Sequence, residues 1–167
     1  QPIAEAHRIG VEISAPAADA VDREARFPEE SLSALRKAKL LSAYVPKEFG
    51  GLGCSLADLS AMCTALGPHC SASAMIFAMH QIEVVTMVAH GADEPFFRRY
   101  FAELVEKQNL IASVTSEAWV GGNLRTSLAA ITPQADGTVT LVKEATTISY
   151  GAQADDLLVT ARTSPDA

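Results

Sequence analysis

At 167 residues the chain has room for one large domain, or for one domain and part of a second. A hydrophobic fraction of 49% beside 20% charged residues is the composition of a packed chain, which excludes wholesale disorder. The formal net charge of −7 is spread along the sequence and argues against nucleic acid or a membrane surface as a partner.

No charged stub followed by an apolar run and a small-residue cleavage site opens the chain, so no signal peptide is expected. Cys54, Cys63 and Cys70 are odd in number and form no Cys-x-x-Cys pair. Reduced, mostly buried thiols and a cytoplasmic location follow as expectations. His69 adjoins Cys70, but no second close-spaced pair of ligands supports it, so no metal site is expected.

The first part reads as helical. Ile3, Ala6, Ile9 and Ile13 make a loose stripe, and Ser14 with Pro16 suggests a break and a restart. A clearer helix starts near Pro28, with Glu29 and Glu30 in its first turn and Arg36, Lys37 and Lys39 toward its end, complementing the macrodipole. Leu32, Leu35 and Leu40 give it an apolar face. Residues 44–53, punctuated by Pro46, Gly50, Gly51 and Gly53, form a turn that no helix survives.

Ser55 and Asp58 have the spacing of a capping box, and Leu56, Leu59, Cys63 and Leu66 then recur at three and four. Gly67-Pro68 ends that helix. Residues 71–90 are the most apolar segment, interrupted between Ala74 and Ala89 by only His80, Gln81, Glu83 and Thr86. The uninterrupted apolar runs fall far short of the ~20 residues of a membrane span. A helix apolar on nearly all sides belongs at the centre of a bundle, with His80 a hydrogen-bonded core histidine. Asp93-Glu94-Pro95 starts a last helix carrying Phe97, Tyr100, Phe101 and Leu104 on one stripe.

From Leu110 the period becomes two. Strands are predicted over residues 110–116, 127–132, 138–142 and 157–161, with a hairpin loop over 133–137. The resulting expectation is an α+β chain: an antiparallel helical bundle over residues 1–108, then an incomplete antiparallel β-domain over 109–167.

Residues 113–126 sit at the switch. Ser113, Thr115 and Ser116 group three hydroxyls, and Gly121-Gly122 lets the backbone turn with its N–H groups exposed, as chains do where they approach a phosphate or a flat polar ring. The plainer alternative is a hydroxyl-rich strand end followed by a Gly-Gly-Asn turn.

The order of these motifs resembles the acyl-CoA dehydrogenase superfamily of flavoproteins. The likeness is carried by the segments 26–29 and 40–53, by Gly91 with Glu94 and residues 100–104, by Ser116-Glu117 and Gly121-Gly122-Asn123, and by Ile148-Ser149 followed by Ala154-Asp155. The resemblance implies FAD as cofactor, held by Ser113, Thr115, Ser116, Gly121, Gly122, Thr147, Ile148 and Ser149. Thr115 and Ser116 would face the pyrimidine side of the flavin, Gly121 and Gly122 its pyrophosphate, and Ser149 its N5. It also implies an acyl-CoA or other small-molecule substrate, with Phe77, Ala78, Gln81 and Ile82 on one side of its pocket.

The family's catalytic base is a glutamate on a later helical domain, so no residue of this chain is expected to be catalytic. That domain is taken to be absent, leaving a fragment, inactive alone, of a homo-oligomer (dimer or tetramer) of fatty acid metabolism. Departures from the family pattern stand at Ser113 (an aromatic), Gly122 (a serine) and Thr147 (a tryptophan). Val142-Lys143 and Ala145 replace an upstream Asn-Gly and lysine. They keep two alternatives to α,β-dehydrogenation of an acyl-CoA thioester open: a flavin-dependent monooxygenase, or a non-catalytic paralogue acting as an interaction module.

Overall fold

The computed structural model describes residues 1–123 and 125–166. Two compact units make up the chain, Gln1–Leu110 and Ile111–Ala167. Unit one is helical: α1 (Pro2–Ile9), α2 (Ala15–Arg23), α3 (Glu29–Lys37), α4 (Leu56–Leu66), α5 (Ser71–Gly91) and α6 (Pro95–Lys107).

The predicted break before Pro16 does not occur. Helix continues from α1 into α2 through one π-helical stretch, Gly10–Ser14, where the Ala15 N–H donates to the Gly10 carbonyl. Pro16 has no N–H and its ring crowds the preceding turn, and the wider π register relieves both conflicts without ending the helix.

α3 ends where Lys39 adopts φ +57 and Leu40 N–H reaches back to the Leu35 carbonyl. This is a left-handed helix end built without the usual glycine. Pro46 then opens a short 3₁₀ turn, Lys47–Phe49. Just past this turn Gly51 is demanded by packing, since a Cβ there would fall 2.0 Å from the Val45 carbonyl oxygen.

α4 carries the expected capping box in full: the Ser55 hydroxyl accepts from Asp58 N–H, and the Asp58 carboxylate accepts from Ser55 N–H at 2.8 Å. α1 packs on α4 and α4 on α5. The core they enclose includes Ile9, Leu35, Met62, Leu66 and Phe77, all fully buried.

α5 departs from the expectation of a helix apolar on all sides. Ser73, His80, Gln81 and Glu83 are buried, whereas Met75 and Ile82 are 61% and 60% exposed. The cause lies on the segment after α3. His80 Nε2–H donates to the Leu41 carbonyl at 2.7 Å, and Gln81 Nε2 donates to the carbonyls of Leu40 and Leu41 at 3.0 and 3.1 Å. Carbonyls left without partners past a helix end must be satisfied when buried, and α5 turns His80 and Gln81 inward to do so. By length and composition α5 is also the one described helix that would reach across a membrane; 44% of that span is buried within the protein.

The second unit holds β1 (Ile111–Val114), β2 (Thr132–Pro133), β3 (Val139–Thr140) and β4 (Asp156–Val159), and no helix among its described residues. It corrects the expected antiparallel sheet. β1 and β4 pair in parallel, Ile111 opposite Asp156 and Val114 opposite Val159, while β2 and β3 form a separate antiparallel hairpin. Parallel pairing needs a long crossover, which the connection 115–155 supplies, and alternation alone does not name a strand's partner. The predicted strand 127–132 is reduced to Thr132 plus a single bridge between Ala130 and Arg162. The predicted strand 138–142 shrinks to β3. The turn between β2 and β3 is set by Asp136, whose carboxylate accepts from Thr138 N–H at 3.0 Å, with Gly137 at φ +84.

Candidate functional site

β1 carries Ser113 and delivers the chain into Thr115 and Ser116, all three half-buried. The hydroxyls of Ser113 and Thr115 lie 3.2 Å apart, so one of their two protons joins them and the other can be donated outward. Ser116 donates its hydroxyl proton to the Thr147 carbonyl, and Ala118 N–H donates to the Glu144 carbonyl at 3.1 Å. Two motifs 31 positions apart in sequence are thereby laid side by side, with Thr115-Ser116 against Thr147 and its neighbours. Thr147 and Ser149 are exposed and Ile148 is half-buried. Ser149 opens a turn in which Gly151 N–H returns to the Ile148 carbonyl at 3.1 Å.

Past this junction the chain makes an exposed loop. Trp119 and Gly121 take φ +71 and +63, and open space surrounds the position of a Cβ at Gly121 and at Gly122. Glycine is favoured at 121 by its conformation, not by packing. The structure brings the hydroxyl group of residues next to Thr147, whereas Gly121 and Gly122 have open space at their Cβ positions among the described residues.

The substrate-pocket candidates are all on α5 and differ in exposure. Phe77 and Gln81 are buried in the helical unit, Ala78 is half-buried and Ile82 is exposed. The Gln81 amide nitrogen is already engaged by the Leu40 and Leu41 carbonyls.

Sequence reasoning missed what holds the site loop in place. Lys143 Nζ sits 3.1 Å from Glu117 Oε2, with both side chains about 5% exposed or less. Around them, Glu117 accepts from the Ser127 hydroxyl at 2.8 Å, from Leu128 N–H at 3.1 Å and from Ala129 N–H at 2.7 Å. Lys143 also donates to the Thr160 carbonyl at 2.9 Å. Burial pushes the Glu117 carboxyl upward. The Ser127 hydroxyl, the Leu128 N–H, the Lys143 ammonium and the Ala129 N–H outweigh it and hold the group at about 2.

The donor set suits a flavin nucleotide. Hydroxyl and backbone donors are grouped at one strand end, a glycine turn has space beside it, and no acidic side chain among the named positions opposes an anion.

Comparisons with known proteins agree with the motif order. Residues 3–108 match the family model of the acyl-CoA dehydrogenase N-terminal domain. Cyclohexane-1-carbonyl-CoA dehydrogenase of Geobacter metallireducens is 31% identical over 119 residues, 68% of this chain and 30% of that protein. The 3-sulfinopropanoyl-CoA desulfinase of Paraburkholderia xenovorans is 30% identical over 89 residues, 53% of this chain and 23% of that one.

Among solved structures, butyryl-CoA dehydrogenase of Megasphaera elsdenii superimposes with a TM-score of 0.82 at 23% identity, covering 97% of this chain and 43% of that one. FMN-bound TdsC of Paenibacillus sp. A11-2 gives 0.84 at 22% identity, covering 99% and 40%. The chain thus spans less than half the length of the proteins it matches.

Proposed function

The chain belongs to the acyl-CoA dehydrogenase family, and on that premise we propose that it is part of an FAD-dependent oxidoreductase acting on an acyl-CoA thioester. The observation that carries the reading is the junction of Ser116 with Thr147, which sets the two proposed flavin-binding motifs edge to edge.

In this reading Ser113, Thr115 and Ser116 with Thr147, Ile148 and Ser149 hold the flavin ring, and the turn at Gly121-Gly122 holds its pyrophosphate. When bound, FAD supplies the acceptor for the hydride removed from the substrate. The outward-donating hydroxyl of the Ser113–Thr115 pair stabilises negative charge on the pyrimidine side of the ring as it develops. Ser116 acts by position, because its proton is committed to Thr147. In this reading the proton at the substrate α-carbon goes to a base outside residues 1–167, so these residues by themselves do not turn over. The whole protein acts as a cytoplasmic homo-oligomer.

A second reading has specific support. TdsC is a dibenzothiophene monooxygenase, and the methanesulfinate monooxygenase MsuC of Pseudomonas fluorescens also shares the fold, with a TM-score of 0.81 at 17% identity. Ser113, Gly122 and Thr147 depart from the dehydrogenase pattern, which leaves room for a flavin monooxygenase.

The test is to purify the whole polypeptide, record its visible spectrum, and add acyl-CoA thioesters of graded length without oxygen. Bound flavin that bleaches supports dehydrogenation. Bound flavin that ignores every thioester, yet consumes oxygen with an aromatic or sulfur substrate once reduced, favours the monooxygenase. A colourless protein that takes up no added flavin refutes both and leaves an interaction module.

A further inference from the structure

Trp119 is the one tryptophan of the sequence and the most exposed large apolar side chain described, 92% accessible. Its backbone takes φ +71, a conformation that bulky residues rarely adopt. The chain is held to other segments just before it. Immediately before the tryptophan, Glu117 is fixed by Lys143, Ser127 and the N–H groups of Leu128 and Ala129. Ala118 N–H is tied to the Glu144 carbonyl. Farther on, Arg125 N–H donates to the Asn123 side-chain oxygen at 3.1 Å and Thr126 N–H to the Asn123 carbonyl, a local turn. A pinned base thus presents a broad, flat ring to solvent, two residues before a glycine with φ +63 and open space beside it. The exposed Arg125 follows on the same loop.

From this arrangement we infer that Trp119 is a stacking platform for the ring of a nucleotide whose phosphates lie over the Gly121-Gly122 turn. The chemistry is matched at both ends. An indole face stacks on any flat heteroaromatic ring, and free backbone N–H groups in a turn that lacks side chains suit a phosphate. Two residues span at most about 7 Å of chain, within the reach of a sugar joining a ring to its phosphate. The inference deepens the flavin reading above and rests on it for the choice of nucleotide, since the stacked ring is either an isoalloxazine or an adenine. A Trp119 ring free to stack also makes this loop a determinant of ligand preference.

The test uses the whole polypeptide stripped of bound flavin, as wild type, Trp119→Phe and Trp119→Ala. Each is titrated with FMN, ADP, FAD and coenzyme A, and Trp119 emission is taken as wild type minus Trp119→Phe. The expected result is water-exposed emission that is quenched on nucleotide addition, with affinity weakened roughly 5- to 100-fold in Trp119→Ala and less in Trp119→Phe. Far-UV circular dichroism should be unchanged. A response to FMN identifies the isoalloxazine as the stacked ring; a response to ADP and coenzyme A without FMN identifies adenine.

Equal affinity of Trp119→Ala and wild type for all four ligands overturns the inference and leaves the flavin reading standing. Trp119 emission that is already of the buried type and insensitive to every ligand overturns it as well, by showing the ring packed under another part of the protein. Binding of ADP or coenzyme A that is weakened in Trp119→Ala, with no uptake of either flavin, keeps the stacking role and removes the flavin reading. Binding of none of the four removes both.

Discussion

Replacing Phe77 and Ile82 by alanine, one at a time, separates a core role from a pocket role on α5. Phe77 is fully buried, and a phenylalanine removes on the order of 200 Å² from water on burial. At about 25 cal/mol per Å² that is roughly 5 kcal/mol, part of which an alanine retains. Allowing for the cavity left behind, Phe77→Ala should cost about 3–5 kcal/mol. In a unit of this size such a loss lowers the melting temperature by more than ~10 °C. Ile82 is 60% exposed, so Ile82→Ala should cost less than about 1 kcal/mol.

Urea unfolding followed by helical circular dichroism reads both, and the midpoint should fall with an unchanged slope for Phe77→Ala. Equal costs for the two variants would show that α5 is not oriented as described. A Phe77→Ala protein of nearly wild-type stability whose acyl-CoA affinity is weakened would place Phe77 on a ligand pocket, and the core assignment would fall.

The Glu117 carboxyl titrates at about 2 in the folded chain against an ordinary 4.5. Its contribution to stability is therefore complete above pH ~4.5 and is lost as pH falls toward 2, because the unfolded chain takes up the proton first. Hydrogen-exchange protection of the Leu128 and Ala129 amides should fall through that window in the wild type, and Glu117→Gln should remove most of this pH dependence; identical profiles would refute the assignment. Gly51→Ala places a Cβ 2.0 Å from a backbone oxygen that cannot rotate away. It should destabilise the helical unit by about 3 kcal/mol or more, and a thermal melt within a degree or two of wild type would contradict the turn geometry.

What the sequence determined by itself was local. The α4 start was legible because Ser55 and Asp58 bond within three residues of each other, and α3 because its acidic and basic ends flank Leu32 and Leu35. The family was legible because short motifs kept their order along the chain, whatever their neighbours in space. Trp119 could be read as a letter, but its exposure and positive φ could not.

Tertiary structure decided what depends on distant partners. His80 and Gln81 turn inward because carbonyls some forty residues earlier need donors, and no periodicity on α5 records that demand. β1 chose β4 over its nearer neighbours through backbone pairing, which is indifferent to side-chain identity. The Lys143–Glu117 pair joins residues 26 positions apart. A buried charge has to find its counter-ion in space, and nothing in the separation along the chain says where that counter-ion is.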